Sequence, residues 1–404
     1  MKILHTADWH LGQRLYNGEQ YREEEHNLFL RWLLDLLRNE PVDALLIAGD
    51  IFDTGYPPNF AIRQYYNFLN EARHLCRNII ITGGNHDAVA TLNAPRDLLQ
   101  TLQIHVIGGA AENIADEIVL INDANAQPIG VVAAVPFLRQ TDIRSAVAGE
   151  TYTEKLQQIK EGIKQHYRQV CDLMLPYRQQ GLPLVAMGHL FAAGSETSDS
   201  EREIHIGNQA QVYVESFPAE FDYVALGHIH KPQIIAQKQH IRYCGSPIAL
   251  SFSERQDPKQ VVMVSFETPN NTPQIELRHI PAFRPLVRMI GSPHEIEQQI
   301  NAFEVPDALL MPWVEIHLQL EQEQADWNER IKTMAIGKNM DILNIKILNL
   351  PQNRLANARP VDLNLSLREW NHQDIFAERC REAGYETPPR NLLQAFSEIV
   401  ESCS

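Results

Sequence analysis

The sequence has few cysteines, no long apolar run and no excess of positive charge, and each shortage excludes a class of protein. Its 404 residues include five cysteines, none in CxxC spacing, which argues against a disulfide frame or a zinc knuckle. No apolar stretch approaches the roughly 18 residues that a membrane helix needs. His5 and Asp8 stand where a signal peptide would have its apolar segment. We therefore expect a cytoplasmic protein with reduced thiols and no membrane association.

Basic residues are also scarce. The chain has 35 lysines and arginines against 51 aspartates and glutamates, for a formal net charge of -16. Such a chain does not attract a polyanion through its overall charge, so metal ions or a basic partner must offset the charge locally if it handles nucleic acid. No Walker A motif of the form GxxxxGK[ST] occurs, so any use of ATP requires another protein.

Apolar runs alternate with helical patterns through most of the chain. The strongest runs lack polar positions on either face, as in strands covered by other layers on both sides. These runs occupy residues 2–6, 43–48, 78–82, 184–187 and 223–226. Helical patterns occupy residues 19–39, 58–75 and 153–180, and further strands are predicted within 104–138, at 241–244 and at 261–266. The alternation predicts an α/β fold with a largely parallel sheet.

Five of these strands are followed by side chains that commonly bind divalent metal ions. In open α/β sheets, ligands gather at the carboxyl ends of the strands. Each side chain alone is more simply explained by a turn or a structural histidine, but five independent strand ends argue against coincidence. Seven carboxylate, imidazole and amide donors suit two adjacent ions such as Mn²⁺ better than one. The seven are Asp8, His10, Asp50, Asn85, His189, His228 and His230.

The turn Gly83-Gly84-Asn85-His86-Asp87 follows the third of these strands. Its glycines let the backbone bend sharply and bring side chains to the end of the strand. Asn85 offers an uncharged oxygen to a hard metal ion, while His86 can carry a proton at neutral pH.

These residues also form motifs of a known family. Asp8-x-His10, Gly49-Asp50-x-x-Asp53, Gly84-Asn85-His86-Asp87, Gly188-His189 and Gly227-His228-x-His230 resemble the five motifs of the calcineurin-like metallophosphoesterases. More narrowly, HTADWHLG, AGDIFDTG, GNHD, PFLR, GHIH and YCGSP resemble the nuclease subunits of bacterial SbcCD complexes. The motif match covers roughly residues 1–255, and the last third of the chain matches more loosely.

The resemblance implies an enzyme with two Mn²⁺ ions, Mg²⁺ being the alternative. One ion would be bound by Asp8, His10, Asp50 and His230, and the other by Asp50, Asn85, His189 and His228. Asp50 would bridge the two, and His86 would be a catalytic histidine that binds no metal. The implied activity is that of a DNA nuclease in repair, replication and recombination. It would be a 3′-to-5′ exonuclease on duplex ends and an endonuclease on single strands and hairpins, with ATP dependence through its partner.

Four residues near the predicted site keep more than one interpretation. Archaeal and eukaryotic relatives carry a histidine at the position of Asp53, which here either braces a ligand histidine or forms a turn before Gly55. Arg139 either steadies a phosphate or is a plain surface arginine. Asp87 is grouped with them as a support for the ligands or a phosphate contact. We expect Trp9 to pack beneath the metal site in preference to stacking on a base.

The pattern changes beyond residue 280, which divides the chain into a nuclease domain and smaller parts. Proline-punctuated residues lead into a β-α-β-α-β unit, with strands at 286–290, 313–320 and 341–348 and helices at 293–303 and 324–334. The predicted division is a nuclease domain over 1–280, a capping domain over 281–350, a linker over 351–371 and a helical tail over 372–404. The resemblance implies that the capping domain touches DNA, whereas the alternative is a domain that only stabilises the fold.

The predicted tail carries an apolar stripe formed by Leu392, Leu393, Phe396, Ile399 and Val400. The resemblance implies that this stripe binds the coiled coil of an SbcC-type, SMC-like ATPase. The alternative is that the tail docks on its own chain.

The resemblance further implies a homodimer that joins the ATPase in a heterotetramer. We expect the dimer contact at helices near residues 59–75 and 90–102, whose apolar side chains exceed what one sheet face needs. These are Phe60, Tyr65, Phe68, Leu69, Leu92, Leu98, Leu99 and Leu102. The implied fold is a metallophosphoesterase α/β sandwich of two sheets flanked by helices, followed by a small α+β capping domain and the helical tail.

DNA is the expected substrate, with a cytoplasmic, nucleoid-associated location. Two other functions remain open at this point. One is a phosphodiesterase for small nucleotides, and the other is a structural subunit that clamps the ATPase. The intact metal set argues against the second.

Overall fold

The computed structural model describes residues 1–15, 20–144, 150–202, 204, 211–267, 272–320 and 327–349. The linker and tail predicted over residues 351–404 lie outside these ranges, so those predictions stay predictions. In the described part, no helix has both the length and the apolar character needed to cross a membrane.

Strands and helices alternate through the described ranges as the sequence pattern indicates. The strands up to residue 280 are β1 Lys2–Thr6, β2 Arg14–Leu15, β3 Gln20–Tyr21, β4 Ala44–Ala48, β5 Asn78–Thr82, β6 Ile104–Ile107, β7 Ile118–Asn122, β8 Pro128–Ala134, β9 Leu184–His189, β10 Tyr223–Gly227, β11 Gln233–Ile235, β12 Lys238–Tyr243, β13 Gln260–Ser265 and β14 Gln274–His279. The helices are α1 Glu23–Asn39, α2 Asn59–Ala72, α3 Val89–Asn93, α4 Arg96–Thr101, α5 Gln140–Ile143 and α6 Tyr152–Gln179.

Two six-stranded sheets form the body of this part of the chain. The first sheet has the order β14-β13-β1-β4-β5-β6 and the second the order β11-β12-β10-β9-β8-β7. In the first, β1, β4, β5 and β6 run parallel and β13 and β14 are antiparallel. In the second, β8, β9, β10 and β12 run parallel, with antiparallel β7 and β11 at the edges.

The alternation of side chains within each strand explains why the strands are apolar on both faces. In β4, Leu45 and Ile47 pack against α1 and α2, while Ala44, Leu46 and Ala48 face the second sheet. The second sheet repeats the arrangement, with its outer face packed against α6. The result is a sandwich of two sheets flanked by helices, as predicted, in which the small alanines allow the sheets to lie close together.

Three local predictions differ from the structure. The helix predicted over residues 19–39 begins at Glu23, because Gln20 and Tyr21 pair with Arg14 and Leu15 in a short hairpin. The helix predicted over 90–102 is two helices, since Pro95 precedes the second and cannot continue the first. β14 was not predicted, because this edge strand is mostly exposed and carries few apolar side chains.

The reason given for the dimer contact is wrong for most of the residues named. Tyr65, Phe68, Leu69, Leu92 and Leu99 are buried in the core of their own chain. The helices α2, α3 and α4 use them to cover the first sheet, so little of this apolar surface is left over. Leu98 and Leu102 are the two large apolar residues of the predicted contact that are exposed.

A third sheet follows the sandwich, as the β-α-β-α-β pattern predicts. Its strands are β15 Leu286–Gly291, β16 Trp313–Leu320 and β17 Asp341–Asn349, in that order across the sheet, and β15 and β16 are parallel. The helices α7 Pro293–Asn301 and α8 Trp327–Ala335 contribute to the core on one face. On the other face, Leu286 and Trp313 pack against Leu15 and Phe252 of the sandwich.

Candidate metal centre

All seven predicted metal-binding side chains meet at one end of the sandwich. The carboxyl ends of β1, β4 and β5 bring Asp8, His10, Asp50 and Asn85, and those of β9 and β10 bring His189, His228 and His230. All but Asn85 are almost completely buried.

The side chains form two neighbouring groups of possible metal ligands. Ligand atoms of Asp8, His10 and His230 lie within 4.8 Å of one another, and so do those of Asp50, His189 and His228. Asn85 joins the second group, because its Oδ1 lies 2.9 Å from His189 Nε2 and 3.1 Å from His228 Nδ1.

Asp50 lies between the two groups. Its Oδ2 is 3.4 Å from His10 Nε2 and 3.3 Å from His189 Nε2. One carboxylate within reach of both groups is the arrangement that a shared ligand requires.

Glycines before the ligands allow this close packing. A Cβ on Gly84 would lie 2.1 Å from Asp50 Oδ1, and one on Gly49 would lie 2.1 Å from His189 Nδ1. A Cβ on Gly227 would lie 1.8 Å from the carbonyl oxygen of Ala48, across the contact between the two sheets. Any side chain at these positions would push a ligand or a strand away from the site.

The backbone at several ligands is itself strained. Asp8, His10, Asp50 and His228 have positive φ angles of 53°, 47°, 48° and 101°. Such conformations cost free energy in residues other than glycine and concentrate at functional sites. The strain directs each side chain away from its strand and toward the common centre.

The donor set fits divalent ions. Asp8 Oδ2 and His228 Nε2 are buried and have no hydrogen-bond partner within the described part of the chain. The Nε2 atoms of His10 and His230 face each other at 3.2 Å. Buried lone pairs left unpaired or turned toward each other are costly, and a cation placed among them removes that cost.

The comparisons agree with this geometry. Residues 1–232 match the model of the calcineurin-like phosphoesterases, and residues 282–383 match the type 5 capsule protein repressor C-terminal domain. The SbcD subunit of nuclease SbcCD from Escherichia coli K12 is 34% identical over 94% of this chain and 92% of that protein. The chain belongs to the SbcD family of calcineurin-like phosphoesterases.

Other relatives carry the same name. One from Rhodobacter capsulatus is 34% identical over 89% of both chains, and one from Bacillus subtilis is 35% identical over 65% of this chain and 66% of that protein. Among solved structures, TT1561 of Thermus thermophilus matches with a TM-score of 0.37 and 11% identity, covering 69% of this chain and 99% of that one, which is too remote to add anything.

Membership of this family makes the protein a hydrolase that acts on phosphodiester bonds and binds divalent metal ions. Which ion it binds, and which side chain plays which part, belong to the proposal below.

Two aspartates near the ligands support them, each in a different way. Asp53 Oδ1 lies 3.2 Å from His10 Nδ1, so of the two interpretations left open the contact favours a brace for a ligand histidine. Asp87 accepts backbone hydrogen bonds from Gly84 at 2.9 Å, Ile51 at 3.1 Å and Phe52 at 2.9 Å. Asp87 therefore ties the turn after β5 to the segment after β4.

Trp9 and Arg139 have clear positions as well. Trp9 is completely buried and meets Phe29 and Phe68 edge-on at ring distances of 5.7 Å and 5.1 Å, so it packs beneath the site as expected. Arg139 is exposed and lies two residues after Phe137, whose ring is 6.3 Å from that of His189. Its contact with a phosphate stays a prediction.

Burial and neighbouring charges shift the pKa values of the site residues in opposite directions. Burial raises the pKa of Asp8 to about 7. Burial alone would also raise the pKa of Asp50, but the facing imidazoles of His189 and His86 hold it well below its usual value. For His189, burial opposes the charge, yet the carboxylate of Asp50 raises the pKa to about 9. Asp50 is therefore the strongest anion of the centre.

His86 lies beside these ligands with only one nitrogen free. Its Nδ1 lies 2.7 Å from the backbone oxygen of Asp53, which requires that nitrogen to donate, and its Nε2 lies 4.0 Å from Asp50 Oδ2. Burial lowers the pKa of His86 to about 4, so the resting ring is neutral.

Sequence reasoning missed two residues behind His230. Ser200 Oγ lies 2.7 Å from His230 Nδ1, and Glu254 Oε1 lies 3.4 Å from the same atom. Burial opposes ionisation of Glu254, but Lys259 and His230 hold its pKa well below its usual value. Neither residue follows a predicted strand, and only the fold brings them to a site 30 and 24 positions away along the chain.

Proposed function

We propose that this protein is a Mn²⁺-dependent DNA nuclease and the nuclease subunit of an SbcCD-like complex. One observation carries the proposal: seven metal-binding side chains from five strand ends converge in a chain whose relatives are named as SbcD subunits of nuclease SbcCD. One ion would be held by Asp8, His10, Asp50 and His230, and the other by Asp50, Asn85, His189 and His228. Mg²⁺ is the alternative ion.

The pair of ions supplies neutralisation of phosphodiester charge and a water of lowered pKa. The chain itself supplies the rest of the chemistry. His86 would donate a proton from Nε2 to the leaving sugar oxygen, while the hydrogen bond from its Nδ1 to the Asp53 carbonyl keeps the ring oriented. A bound phosphate anion offsets the burial that keeps this ring neutral, because a nearby negative charge raises the pKa of a histidine.

The proposed substrates are DNA ends, single strands and hairpins. The protein would act as a 3′-to-5′ exonuclease on duplex ends and as an endonuclease on single strands and hairpins, in repair, replication and recombination. An SbcC-type, SMC-like ATPase would add the ATP dependence. The location we propose is the nucleoid in the cytoplasm.

The division of the chain belongs to the same proposal. We place the nuclease domain at 1–280, a DNA-contacting capping domain at 281–350, a linker at 351–371 and an ATPase-binding helical tail at 372–404. We also propose a homodimer within a heterotetramer. The exposed side chains of Leu98 and Leu102 support a contact at α4.

One set of assays tests the function. The purified protein is given Mn²⁺ with labelled hairpin DNA or a cyclic dinucleotide, with and without an SbcC-type ATPase. We expect hairpin cleavage by the protein alone and ATP-stimulated cleavage of duplex ends only with the partner. Cleavage of the dinucleotide alone would replace the proposal by a small-nucleotide phosphodiesterase, and no cleavage of either would indicate a structural subunit. A chain ending after Arg368 is expected to keep the first activity and lose the second.

A further inference from the structure

The imidazole of His230 contacts polar groups on both sides. Toward the metal centre, its Nε2 lies 3.2 Å from Nε2 of His10. On the opposite side, its Nδ1 lies 2.7 Å from Ser200 Oγ and 3.4 Å from Glu254 Oε1. Glu254 has no solvent exposure at all, so its carboxylate depends on these and similar contacts for stabilisation.

Glu254 is surrounded by hydrogen-bond donors. Its Oε2 accepts from Lys259 Nζ at 2.6 Å and from the backbone nitrogen of Leu250 at 3.1 Å. Its Oε1 accepts from the hydroxyl groups of Ser200 and Ser198. The ammonium group of Lys259 keeps the carboxylate ionised, so neither of its oxygens has a proton to donate.

These contacts fix the direction of the hydrogen bond to His230. A serine hydroxyl has a single proton, and Ser200 donates that proton to Glu254. The oxygen of Ser200 is then left to accept from His230, which requires the hydrogen of the imidazole to be on Nδ1. The lone pair of Nε2 consequently points to the side where His10 and Asp8 lie.

We propose that Ser200 and Glu254 are positioning residues that hold His230 in the tautomer whose Nε2 binds a metal ion. The inference rests on the proposed role of His230 as a ligand. Groups that orient a ligand histidine in this way typically change metal affinity by roughly 10–100-fold when they are removed. The effect should be confined to the ion held by Asp8, His10, Asp50 and His230.

Metal titration with three serine variants tests the proposal. Calorimetry with Mn²⁺ is expected to show one of the two ions binding roughly 10–100-fold more weakly to Ser200→Ala. Ser198→Ala is the matched control, because Ser198 also contacts Glu254 but no contact joins it to His230 within the described residues. Ser200→Thr keeps the hydroxyl group and should restore the affinity. Equal losses in Ser200→Ala and Ser198→Ala, or no loss in either, would overturn the proposal.

A second measurement needs no variant of the serine loop. Nitrogen chemical shifts of histidines labelled with ¹⁵N distinguish the two neutral tautomers, and a His230→Gln spectrum identifies the signals. We expect the metal-free wild-type protein to carry the proton on Nδ1, and a proton on Nε2 would overturn the proposal.

His230→Ala separates this inference from the function on which it rests. If His230→Ala keeps both ions, the ligand assignment itself fails. If it loses one ion while Ser200→Ala loses none, only the positioning role fails.

Discussion

His86 and Asp50 show at the scale of single residues how neighbouring groups acquire different parts. Both are buried, and Nε2 of the one lies 4.0 Å from Oδ2 of the other. Asp50 also lies between His10 and His189, whereas Nδ1 of His86 is occupied by the carbonyl oxygen of Asp53. The carboxylate is thus placed to hold ions, and the free nitrogen of His86 is placed to move a proton.

Replacing His86 should separate metal binding from cleavage. His86→Ala is expected to retain both ions and to lower cleavage about 10²–10⁴-fold, the usual contribution of a proton donor. Calorimetric Mn²⁺ titration and a nuclease assay measure the two effects, with His74→Ala as a control at an exposed histidine. The loss of one ion in His86→Ala would make His86 a ligand and disprove the assignment.

Replacing Asp50 should affect two ions, and replacing Asn85 mainly one. Asp50→Asn removes the negative charge shared by both groups, whereas Asn85→Ala removes an oxygen that contacts only His189 and His228. Bound Mn²⁺ per chain, measured after dialysis, distinguishes the two outcomes. Asp97→Asn, at an exposed aspartate, should keep full occupancy. If both site variants lost the same single ion, Asp50 would not be a bridge.

The individual strands and helices explain why the ligands meet. Each of β4, β5, β9 and β10 ends at or beside a glycine that lets a ligand approach within a distance that no side chain permits. The sequence reveals this pattern, because a buried strand, a glycine and a polar residue follow one another. It could not reveal that Phe68 faces Trp9 instead of a second chain, since apolar periodicity marks a buried face but not what covers it.

Contacts between distant segments were equally hidden from the sequence. Ser200 and Glu254 reach His230 because two loops fold over the end of β10, and neither loop carries a periodic pattern. Edge strands such as β14 form by pairing with a buried neighbour and need no apolar run of their own. A single sequence predicts strands and their ends well, but it does not predict which loops cover them.

A side chain at Gly84 should disrupt the metal centre. In Gly84→Ala the new Cβ would lie 2.1 Å from Asp50 Oδ1 and 2.3 Å from its backbone nitrogen, so Asp50 must move. We expect a loss of about 1–3 kcal/mol in the free energy of unfolding, typical of overpacking, and weaker binding of both ions. Gly55→Ala is the control, because its Cβ would be no closer than 3.4 Å to any atom. Unchanged Mn²⁺ affinity in Gly84→Ala would contradict the prediction.

His26 in α1 should make stability depend on pH. Burial and the charge of Arg22 lower its pKa from 6.5 to about 4. As the pH falls from about 6.5 toward 4, the unfolded chain takes up a proton that the folded chain does not, so the free energy of unfolding decreases.

The pH dependence can be measured by urea unfolding in EDTA near neutral pH and at about pH 5. The urea midpoint of the wild-type protein should fall more between these conditions than that of His26→Gln. His279→Gln, at an exposed histidine, should behave like the wild type. Equal pH dependence in the wild-type protein and His26→Gln would show that His26 does not contribute.

At the scale of the whole described structure, the third sheet is attached to the sandwich by buried charges. Arg284 Nε lies 3.1 Å from Glu25 Oε1, and its guanidinium carbon lies 4.3 Å from the ring centre of Trp313 in β16. Arg22 donates from Nε to the same Glu25 oxygen at 2.6 Å and to the carbonyl of Ala249 at 2.6 Å. Such a cluster fixes orientation more than it adds stability.

Removing Arg284 should loosen this attachment. Arg284→Met leaves Glu24, Glu25 and the carbonyl of Met311 without their partner, at a cost of about 1–3 kcal/mol. Hydrogen exchange should become faster in β15 and β16 while β1 and β4 keep their protection. Arg278→Met, which breaks a pair with Glu40 on the surface, should change stability by less than about 1 kcal/mol. Uniform faster exchange in both sheets would indicate general unfolding instead.

The metal centre draws on both sheets, and this has a consequence for how the protein is made. Three of its seven proposed ligands, His189, His228 and His230, come from the second sheet, and 220 positions separate His10 from His230. A ribosome that has released only the first sheet has therefore produced less than the full donor set. Because domains form as the chain is synthesised, a stalled or prematurely ended chain lacks a complete pair of ion sites. The cell gains a built-in safeguard, since an unfinished copy of this hydrolase has no working centre with which to cut.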